Sequence, residues 1–177
     1  MKFKIIIQRF LIPSPVVSIY YLIKFGCKIS PKAEVEFSKY LRIGEKSQIS
    51  SFTKIKATHG YVNIGRNVDI GPGCFISSHE KGIHIGDDCL IGPHVCIVAG
   101  NYNFDRIDIT MRQQGSVSKG IKIGNDVWVG AGACILDGAE IGNGVIVSAN
   151  SVVSTKVSDY SVIIGNPARV VLKRNNI

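Results

Sequence analysis

Residues 121–157 read IKIGNDVWVGAGACILDGAEIGNGVIVSANSVVSTKV, and this stretch decides the fold. An aliphatic residue, often followed by a small one, recurs in it at every sixth position: Ile123, Val129, Ile135, Ile141, Val147 and Val153. A period of six that uses glycine and β-branched residues matches no helical stripe of 3.6 residues. Such fixed self-similarity is typical of a parallel β-helix, in which each short strand buries its aliphatic side chain.

The same repeat extends towards the N-terminus, through these aliphatic positions: Ile43, Ile49, Ile55, Ile64, Ile70, Ile76, Ile85, Ile91 and Ile97. Four positions after each one stands a further compact side chain, such as Ser47, Thr53, Cys74 or Cys89, which we also expect to point inward. Three hexapeptides close one triangular coil. We therefore predict an all-β prism whose coils stack about 4.8 Å apart.

The spacing between coils predicts where the chain leaves the prism. Ile123 to Ile141 is 18 residues, whereas Ile43 to Ile64 is 21, Ile64 to Ile85 is 21 and Ile85 to Ile123 is 38. Every excess falls between the third strand of one coil and the first strand of the next. All insertions should therefore emerge at one corner of the prism.

The largest insertion covers residues 100–120, and an excursion of that length usually serves function. His59, His79 and Tyr102 each follow a third strand closely. We expect these three side chains to form a column along one edge, and so a site built from residues distant in sequence.

Composition limits the classes of function. The chain has 177 residues, enough for one domain, and a formal charge of +8 that favours an anionic partner, although general solubility would explain it as well. Nucleic-acid binding fits poorly, because the basic residues do not interleave with aromatic ones. The five cysteines include no CxxC pair, so we expect reduced thiols in a cytoplasmic protein and no metal site.

Residues 1–26 form a distinct segment with four basic residues and no acidic one. Its apolar runs are too short to span a bilayer, and it lacks a clear signal-peptide cleavage site. Two amphipathic pieces, about 2–12 and 15–25, would either cap the open end of the repeat or lie on an anionic inner-membrane surface. The two roles are compatible.

Several motifs together resemble a known family: NFDRIDI (103–109), RQQG (112–115), IKIGNDVWVGAGACIL (121–136), IGNGVIVSANSVVSTKV (141–157) and GNPARVV (165–171). They resemble the hexapeptide-repeat acyltransferases, in particular the maltose, galactoside and polysaccharide O-acetyltransferases. The resemblance covers roughly residues 27–174. It implies a left-handed parallel β-helix with the loop 100–120 inserted at a corner, and a homotrimer that holds acetyl-CoA between neighbouring prisms.

The resemblance also implies a catalytic histidine at the start of the long loop, followed within three residues by an acid. Aligned on Asp105, that position is Tyr102 in this chain. A phenol with a pKa near 10 is a poor base at neutral pH, whereas an imidazole near 6.5 suits the task. Three explanations stay open: His79 supplies the base, the acceptor is an amine that needs less help, or the chain is catalytically impaired.

The remaining site residues also follow from the resemblance. The cofactor contacts would come from Trp128, Ala131, Ala149, Thr155, Lys156, Arg169 and Lys173. Trp128 would equally brace the loop, and Lys173 would equally be a solvated tail residue. Substrate contacts would come from Asn101, Asn103 and Arg106. Asp105 would either orient the residue at position 102 or the acceptor, or form a plain surface ion pair with Arg106 or Arg112.

These observations predict an acetyl-CoA-dependent O-acetyltransferase acting on a sugar, nucleotide-sugar or glycan hydroxyl in surface polysaccharide or lipopolysaccharide biosynthesis. Direct transfer with a general base requires no metal. An amino-sugar N-acetyltransferase is the alternative enzyme. Two other classes stay open, a binding or scaffold module that has lost its chemistry and a metal-dependent β-helix hydrolase of the carbonic-anhydrase kind.

Overall fold

The computed structural model describes residues 12–57 and 59–175, and in it the repeat forms three parallel sheets. Sheet A contains β1 (Lys28–Ile29), β4 (Gln48–Ile49), β7 (Asp69–Ile70), β10 (Leu90–Ile91), β15 (Trp128–Val129), β18 (Ile146–Val147), β21 (Ser161–Gly165) and β22 (Ala168–Lys173), the last pairing antiparallel. Sheet B contains β2 (Glu34–Val35), β5 (Lys54–Lys56), β8 (Phe75–Ser77), β11 (Cys96–Val98), β16 (Cys134–Leu136) and β19 (Val152–Val153). Sheet C contains β3 (Leu41–Ile43), β6 (Val62–Ile64), β9 (Ile83–Ile85), β14 (Ile121–Ile123), β17 (Glu140–Ile141) and β20 (Lys156–Val157).

Successive strands of the chain visit the sheets in turn, as a hexapeptide-repeat β-helix requires. Each strand pairs with the strand one coil later, and the register matches aliphatic residue to aliphatic residue. Ile76 pairs with Ile97, and Ile97 pairs with Ile135 across the long insertion. All three side chains are fully buried. The predicted six-residue pattern is therefore confirmed, whereas the handedness of the coil stays a prediction.

The second inward position of each hexapeptide is also buried, and its polar atoms are satisfied. The Ser47 hydroxyl donates to the Gly65 carbonyl at 2.8 Å and accepts from the Val68 N–H at 2.9 Å. The Cys89 thiol contacts the Gly124 carbonyl at 3.1 Å, and all five cysteines are free. Small side chains that bond to a neighbouring coil thus fill the space beside the aliphatic core.

Tight turns at the corners let adjacent coils approach closely. Asn67, Asp88 and Asp126 lie in the left-handed region, with φ between 53° and 59°, at equivalent turns of successive coils. Asn and Asp tolerate this region better than other side chains do. Gly86 is required for a different reason, since a Cβ there would lie 2.5 Å from the Gly124 carbonyl oxygen.

An α-helix, α1 (Ser14–Phe25), precedes the first strand and packs on β1 and β2. It buries Val17, Ser18 and Tyr21 and ends at Gly26, whose φ is 64°. Residues 1–11, which include most of the predicted piece 2–12, lie outside the described residues. None of the helices in the described part of the chain has the length and apolar character to span a membrane.

The long insertion forms a small sheet of its own. Strands β12 (Asn101–Tyr102) and β13 (Ser116–Val117) pair antiparallel, and a short 3₁₀ helix at Met111–Gln113 lies between them. We call residues 100–118 the hairpin. Several of its apolar side chains are exposed, Ile107 completely so. A segment with this much exposed apolar surface suits contact with a ligand or partner.

Candidate functional site

Two histidines and the hairpin meet where the chain passes from sheet B to sheet C. His79 lies between β8 and β9, and the His59 ring stacks on the His79 ring at a centroid distance of 6.3 Å. The hairpin leaves from the equivalent turn one coil later. The structure therefore brings together the two histidines of the predicted column, whereas the place of the Tyr102 side chain in it stays a prediction.

His79 contacts the hairpin directly. Its Nε2 lies 3.2 Å from Oγ of Ser116, and Ser116 pairs with Tyr102 in the hairpin register. The His79 Nδ1 is buried and has no hydrogen-bond partner among residues 12–57 and 59–175. Gly100 (φ 135°) passes so close that a Cβ there would lie 2.8 Å from the His79 Cβ. The imidazole is thus clamped between a neighbouring histidine and the base of the hairpin.

A buried carboxylate holds the returning end of the insertion. Asp137 accepts hydrogen bonds from the backbone N–H of Lys119, at 2.8 and 3.0 Å, and from that of Gly120, at 2.8 Å. Backbone donors of this kind stabilise a buried carboxylate. Asp137 therefore fixes where the chain re-enters the prism.

Our sequence reasoning missed both Asp137 and Ser116. A signal for Asp137 existed, because the three preceding coils carry small buried residues at its position, namely Ala57, Ser78 and Ala99. A carboxylate in that position needs partners. No equivalent signal marked Ser116, which lies in the irregular insertion.

The predicted substrate residues of the hairpin are held by its returning half, Asn103 and Arg106 by Gln114 and Asn101 by Val117. Nδ2 of Asn103 donates to the Gln114 carbonyl at 3.0 Å, and the Arg106 backbone exchanges two hydrogen bonds with the Gln114 side chain. Asn101 is exposed and pairs with Val117. The hairpin is therefore internally braced, with exposed side chains at its start.

The structure corrects one alternative for the acid in this loop. Arg106 forms its ion pair with Asp108, and not with Asp105. The guanidinium of Arg106 lowers the pKa of the Asp108 carboxyl. Asp105 makes no ion pair within the described residues, and neither does Arg112. The Asp105 carboxylate is thus available to a ligand or a partner subunit.

A basic groove runs along sheet C from the hairpin base. Its first part, about 360 Å³, is lined by Lys81, Lys119 and Lys122. It continues past Glu140 towards Lys156 and Lys173. Lys156 lies 3.8 Å from Glu140. The other three lysines near the hairpin have no carboxylate partner within the described residues, so this groove can attract anionic groups.

The predicted cofactor residues divide between different faces. Thr155 is exposed at the turn before Lys156, and Lys173 lies beside the groove. Ala131 and Ala149 are exposed at turns between sheets A and B. Arg169 is exposed in β22. A single chain therefore does not gather the whole set.

Trp128 is also remote from the hairpin. It is 53% exposed on sheet A and lines a shallow groove with residues such as Asp69 and Leu90. No hairpin residue lines that groove. Trp128 lies on sheet A, whereas the hairpin leaves the turn between sheets B and C, so both roles predicted for Trp128 stay predictions. Its exposed indole remains available for a ligand or a neighbouring subunit.

Metal ligands do not converge in the described part of the chain. No group of three or more His, Cys, Asp and Glu side chains has the arrangement to hold a metal ion there. The stacked pair of His59 and His79 is the nearest approach to such a cluster that the hairpin corner offers.

Comparison with known families identifies the repeat. The family "Bacterial transferase hexapeptide (six repeats)" matches residues 120–155, and "Hexapeptide repeat of succinyl-transferase" matches residues 61–97. The two matches lie on either side of the hairpin. They correspond to the coils that carry the regular six-residue pattern.

Two curated proteins are similar over most of the chain. The putative lipopolysaccharide biosynthesis O-acetyl transferase WbbJ of Escherichia coli K12 is 31% identical over 162 residues, which cover 88% of this chain and 80% of that protein. The probable acetyltransferase Rv3034c of Mycobacterium tuberculosis is 30% identical over 142 residues, or 80% of this chain. The match spans only 45% of the mycobacterial protein.

Solved structures share the fold. AntD, an N-acyltransferase from Bacillus cereus in complex with dTDP and 3-hydroxybutyryl-CoA, superposes with a TM-score of 0.77 at 24% identity. The superposition covers 89% of this chain and 87% of that one. This likeness supports the same architecture across nearly the whole repeat.

Proposed function

This chain belongs to the hexapeptide-repeat acetyltransferase family, and we propose that it transfers an acetyl group from acetyl-CoA to a sugar hydroxyl. The Escherichia coli relative supports a hydroxyl acceptor, because it is named as an O-acetyl transferase and matches along most of its length. Its name also supports an acceptor in surface polysaccharide or lipopolysaccharide biosynthesis. The enzyme is thus an acyltransferase with acetyl-CoA as co-substrate, and its five free cysteines favour a reducing compartment such as the cytoplasm.

The observation that carries the proposal is the position of His79. Its imidazole lies at the base of the hairpin, with Nε2 3.2 Å from Ser116 Oγ, close to the head of the basic groove. Tyr102, in the slot where the family resemblance implies a histidine, is exposed and pairs with Ser116. His79 therefore replaces the base that Tyr102 cannot supply.

The transfer then needs no covalent intermediate. An acceptor hydroxyl that takes the place of the Ser116 hydroxyl at Nε2 of His79 gives its proton to this nitrogen while its oxygen attacks the thioester carbonyl carbon of acetyl-CoA. The C–S bond breaks, and the thiolate of CoA takes the proton from the imidazolium. The His59 ring, which stacks on the His79 ring, keeps the imidazole oriented, and the acceptor is bordered by Asn101, Asn103, Asp105 and Arg106.

The basic groove on sheet C binds the phosphates of CoA. Lys81, Lys119 and Lys122 carry charge beside the hairpin, while Lys156 and Lys173 continue the groove with Thr155 beside it. The thioester end of the cofactor would then lie next to His79. Charge complementarity of this kind raises both association rate and affinity.

The other cofactor residues come from a neighbouring copy in a homotrimer of left-handed prisms. Trp128, Ala131, Ala149 and Arg169 lie away from the sheet C groove, so they complete the site only from an adjacent subunit. Residues 27–174 form the catalytic prism in this arrangement. The half-exposed apolar indole of Trp128 supports it, since such a side chain favours burial at an interface.

An amine acceptor is the second candidate, and Tyr102 is the residue that favours it. An amine that binds as the free base attacks a thioester without first losing a proton. The absence of a histidine at position 102 would therefore lower the rate of transfer to an amine less than that to a hydroxyl. An N-acetyltransferase would use the same groove and the same hairpin. A non-catalytic cofactor-binding module would also retain both features.

Thiol release tests the proposal. The full chain is mixed with acetyl-CoA and panels of hydroxyl sugars, amino sugars and their nucleotide-linked forms, and free CoA is measured against an enzyme-free control. We expect release with a hydroxyl sugar. Release with amino sugars alone would establish the N-acetyltransferase instead. Binding of acetyl-CoA without release on any acceptor would indicate the non-catalytic module.

A further inference from the structure

The N-terminal helix exposes an apolar face that nothing in the described chain covers. Val16, Ile19 and Ile23 lie on one side of α1 because they are spaced by three and four residues, and they are 54%, 58% and 81% exposed. Val17 and Tyr21 occupy the opposite, packed side. A helix that is apolar on both sides normally has a partner on each.

The charge of the chain is concentrated at the same end. Residues 1–57 contain eleven Lys and Arg against three Asp and Glu, which accounts for the whole formal charge of +8. Residues 58–177 contain ten of each sign and are neutral. Among the described residues 12–57, eight Lys and Arg stand against three Glu, so the first coils of the prism carry an excess of positive charge.

Several of these basic residues are exposed around the outermost strands of the coil. The strands β1, β2 and β3 are terminal in their sheets, and α1 packs on the first two. The exposed lysines on these elements and in the turns that follow them are Lys24, Lys28, Lys32, Lys39 and Lys46. These lysines share the end of the prism on which α1 packs, and they outnumber the exposed Glu34 and Glu45 there.

We propose that this N-terminal end docks on an anionic lipid surface, with Val16, Ile19 and Ile23 entering the interface and the lysines contacting acidic headgroups. An amphipathic surface with apolar residues and surrounding lysines matches the boundary between headgroups and acyl chains. A second copy fits less well, because it would bring two strongly basic ends together. Residues 1–11 add Lys2, Lys4 and Arg9 and no acid, so they strengthen the same preference.

Vesicle flotation of the full chain tests the proposal. We expect the protein to float with vesicles that contain phosphatidylglycerol, to remain behind with phosphatidylcholine alone, and to be released by high salt. The double variant Ile19→Asp/Ile23→Asp should lower the bound fraction at least about tenfold. Ile107→Asp changes a fully exposed isoleucine in the hairpin, away from α1, so this variant should bind vesicles like the unaltered protein.

A second double variant, Lys28→Glu/Lys32→Glu, tests the contribution of the basic residues. It leaves the packed side of α1 unchanged and should also reduce flotation about tenfold. Melting curves of all variants without lipid confirm that they are folded. Failure of the unaltered protein to float with anionic vesicles overturns the proposal. Sedimentation analysis gives a second outcome that would overturn it. In this outcome the unaltered chain self-associates, and Ile19→Asp/Ile23→Asp abolishes the self-association but leaves vesicle binding unchanged. Acetyl transfer is measured separately, so a failed docking test leaves the proposed chemistry unaffected.

Discussion

His79 and Ser116 are 37 residues apart in sequence, yet the imidazole Nε2 lies 3.2 Å from the serine hydroxyl. The contact joins a coil of the prism to the hairpin that leaves the next coil. It places a potential base beside the family's expected catalytic position without using the residue at that position. The site therefore depends on two features at once, the stacking of coils and the path of the hairpin.

The first prediction concerns which side chain acts as the base. His79→Ala should lower kcat for acetyl transfer by about 10²–10⁴-fold, the usual contribution of a general base. Tyr102→Phe should change kcat by less than about twofold, since the phenol carries no proton-transfer role in this mechanism. His94→Asn, at an exposed histidine on another turn, is the matched control and should leave kcat unchanged.

A different outcome would identify an impaired enzyme. If Tyr102→His raised kcat at least about tenfold while His79→Ala had no effect, the base would have been lost from position 102 and not replaced. CoA release under saturating substrate distinguishes these cases, because it separates kcat from substrate binding.

The second prediction uses the close passage of Gly100 over His79. Gly100→Ala places a Cβ 2.8 Å from the His79 Cβ at a φ of 135°, so it should destabilise the protein by about 1–3 kcal/mol and displace the imidazole. Activity should fall in parallel. Gly115→Ala is the control, since its φ of 77° carries backbone strain but no atom lies within 4 Å of the new Cβ. Equal loss of activity in both variants would contradict the clamp.

The sequence predicted the regular part of this molecule and not the irregular part. The six-residue period identified the buried aliphatic residues and the corner of the insertions, because one inward side chain per strand repeats in every coil. It missed the first strands around Ile29 and Val35, which pair with Ile49 and Ile55 at a spacing of 20 residues. Neither the 18-residue nor the 21-residue spacing would have found them.

The contacts that make the candidate site have no period at all. Ser116 meets His79, and Asp137 meets Lys119, through local geometry that a repeat pattern does not encode. The partner of an exposed charged side chain is equally hard to predict from the sequence, as the ion pair of Arg106 with Asp108 shows. Trp128 is another example. The alternation of buried and exposed residues in its strand predicts that its side chain points outward. Only the fold shows that this strand belongs to sheet A and does not lie beside the loop.

The third prediction concerns the buried carboxylate that anchors the insertion. Asp137→Asn removes a charged acceptor from three backbone contacts, which should cost about 1–3 kcal/mol of stability. Hydrogen exchange at the Lys119 and Gly120 amides should accelerate, since one carboxylate oxygen becomes an NH2 group and the remaining oxygen is an uncharged, weaker acceptor. Asp108→Asn, in an exposed ion pair, should cost much less stability, because solvent screens such a pair. Unchanged exchange at both amides would show that Asp137 does not hold the hairpin.

The fourth prediction tests the basic groove as the cofactor site. Lys122→Glu should raise the KM for acetyl-CoA about tenfold with a smaller effect on kcat, because one reversed charge near a phosphate weakens binding by about 1.4 kcal/mol or more. The effect should shrink at high salt. Lys46→Glu makes the same charge change at the N-terminal end, outside the groove, and should leave this KM unchanged. A KM that responds equally to both substitutions would place the phosphates elsewhere.

The fifth prediction concerns stability at alkaline pH. Burial raises the pKa of the Cys89 thiol from 9.0 to about 11, and the thiol also contacts the Gly124 carbonyl. Because the folded state holds this proton more tightly than the unfolded state, the thiol contributes stability that is fully present below about pH 9 and is lost as pH rises towards 11. We therefore measure the free energy of unfolding with urea at pH 7 and at pH 10. The decrease between the two pH values should be smaller by about 1 kcal/mol in Cys89→Ala than in the unaltered protein. The control is Cys134→Ala, at a half-exposed thiol on sheet B, which should show the same decrease as the unaltered protein. If Cys89→Ala also showed that same decrease, the buried thiol would not have this role.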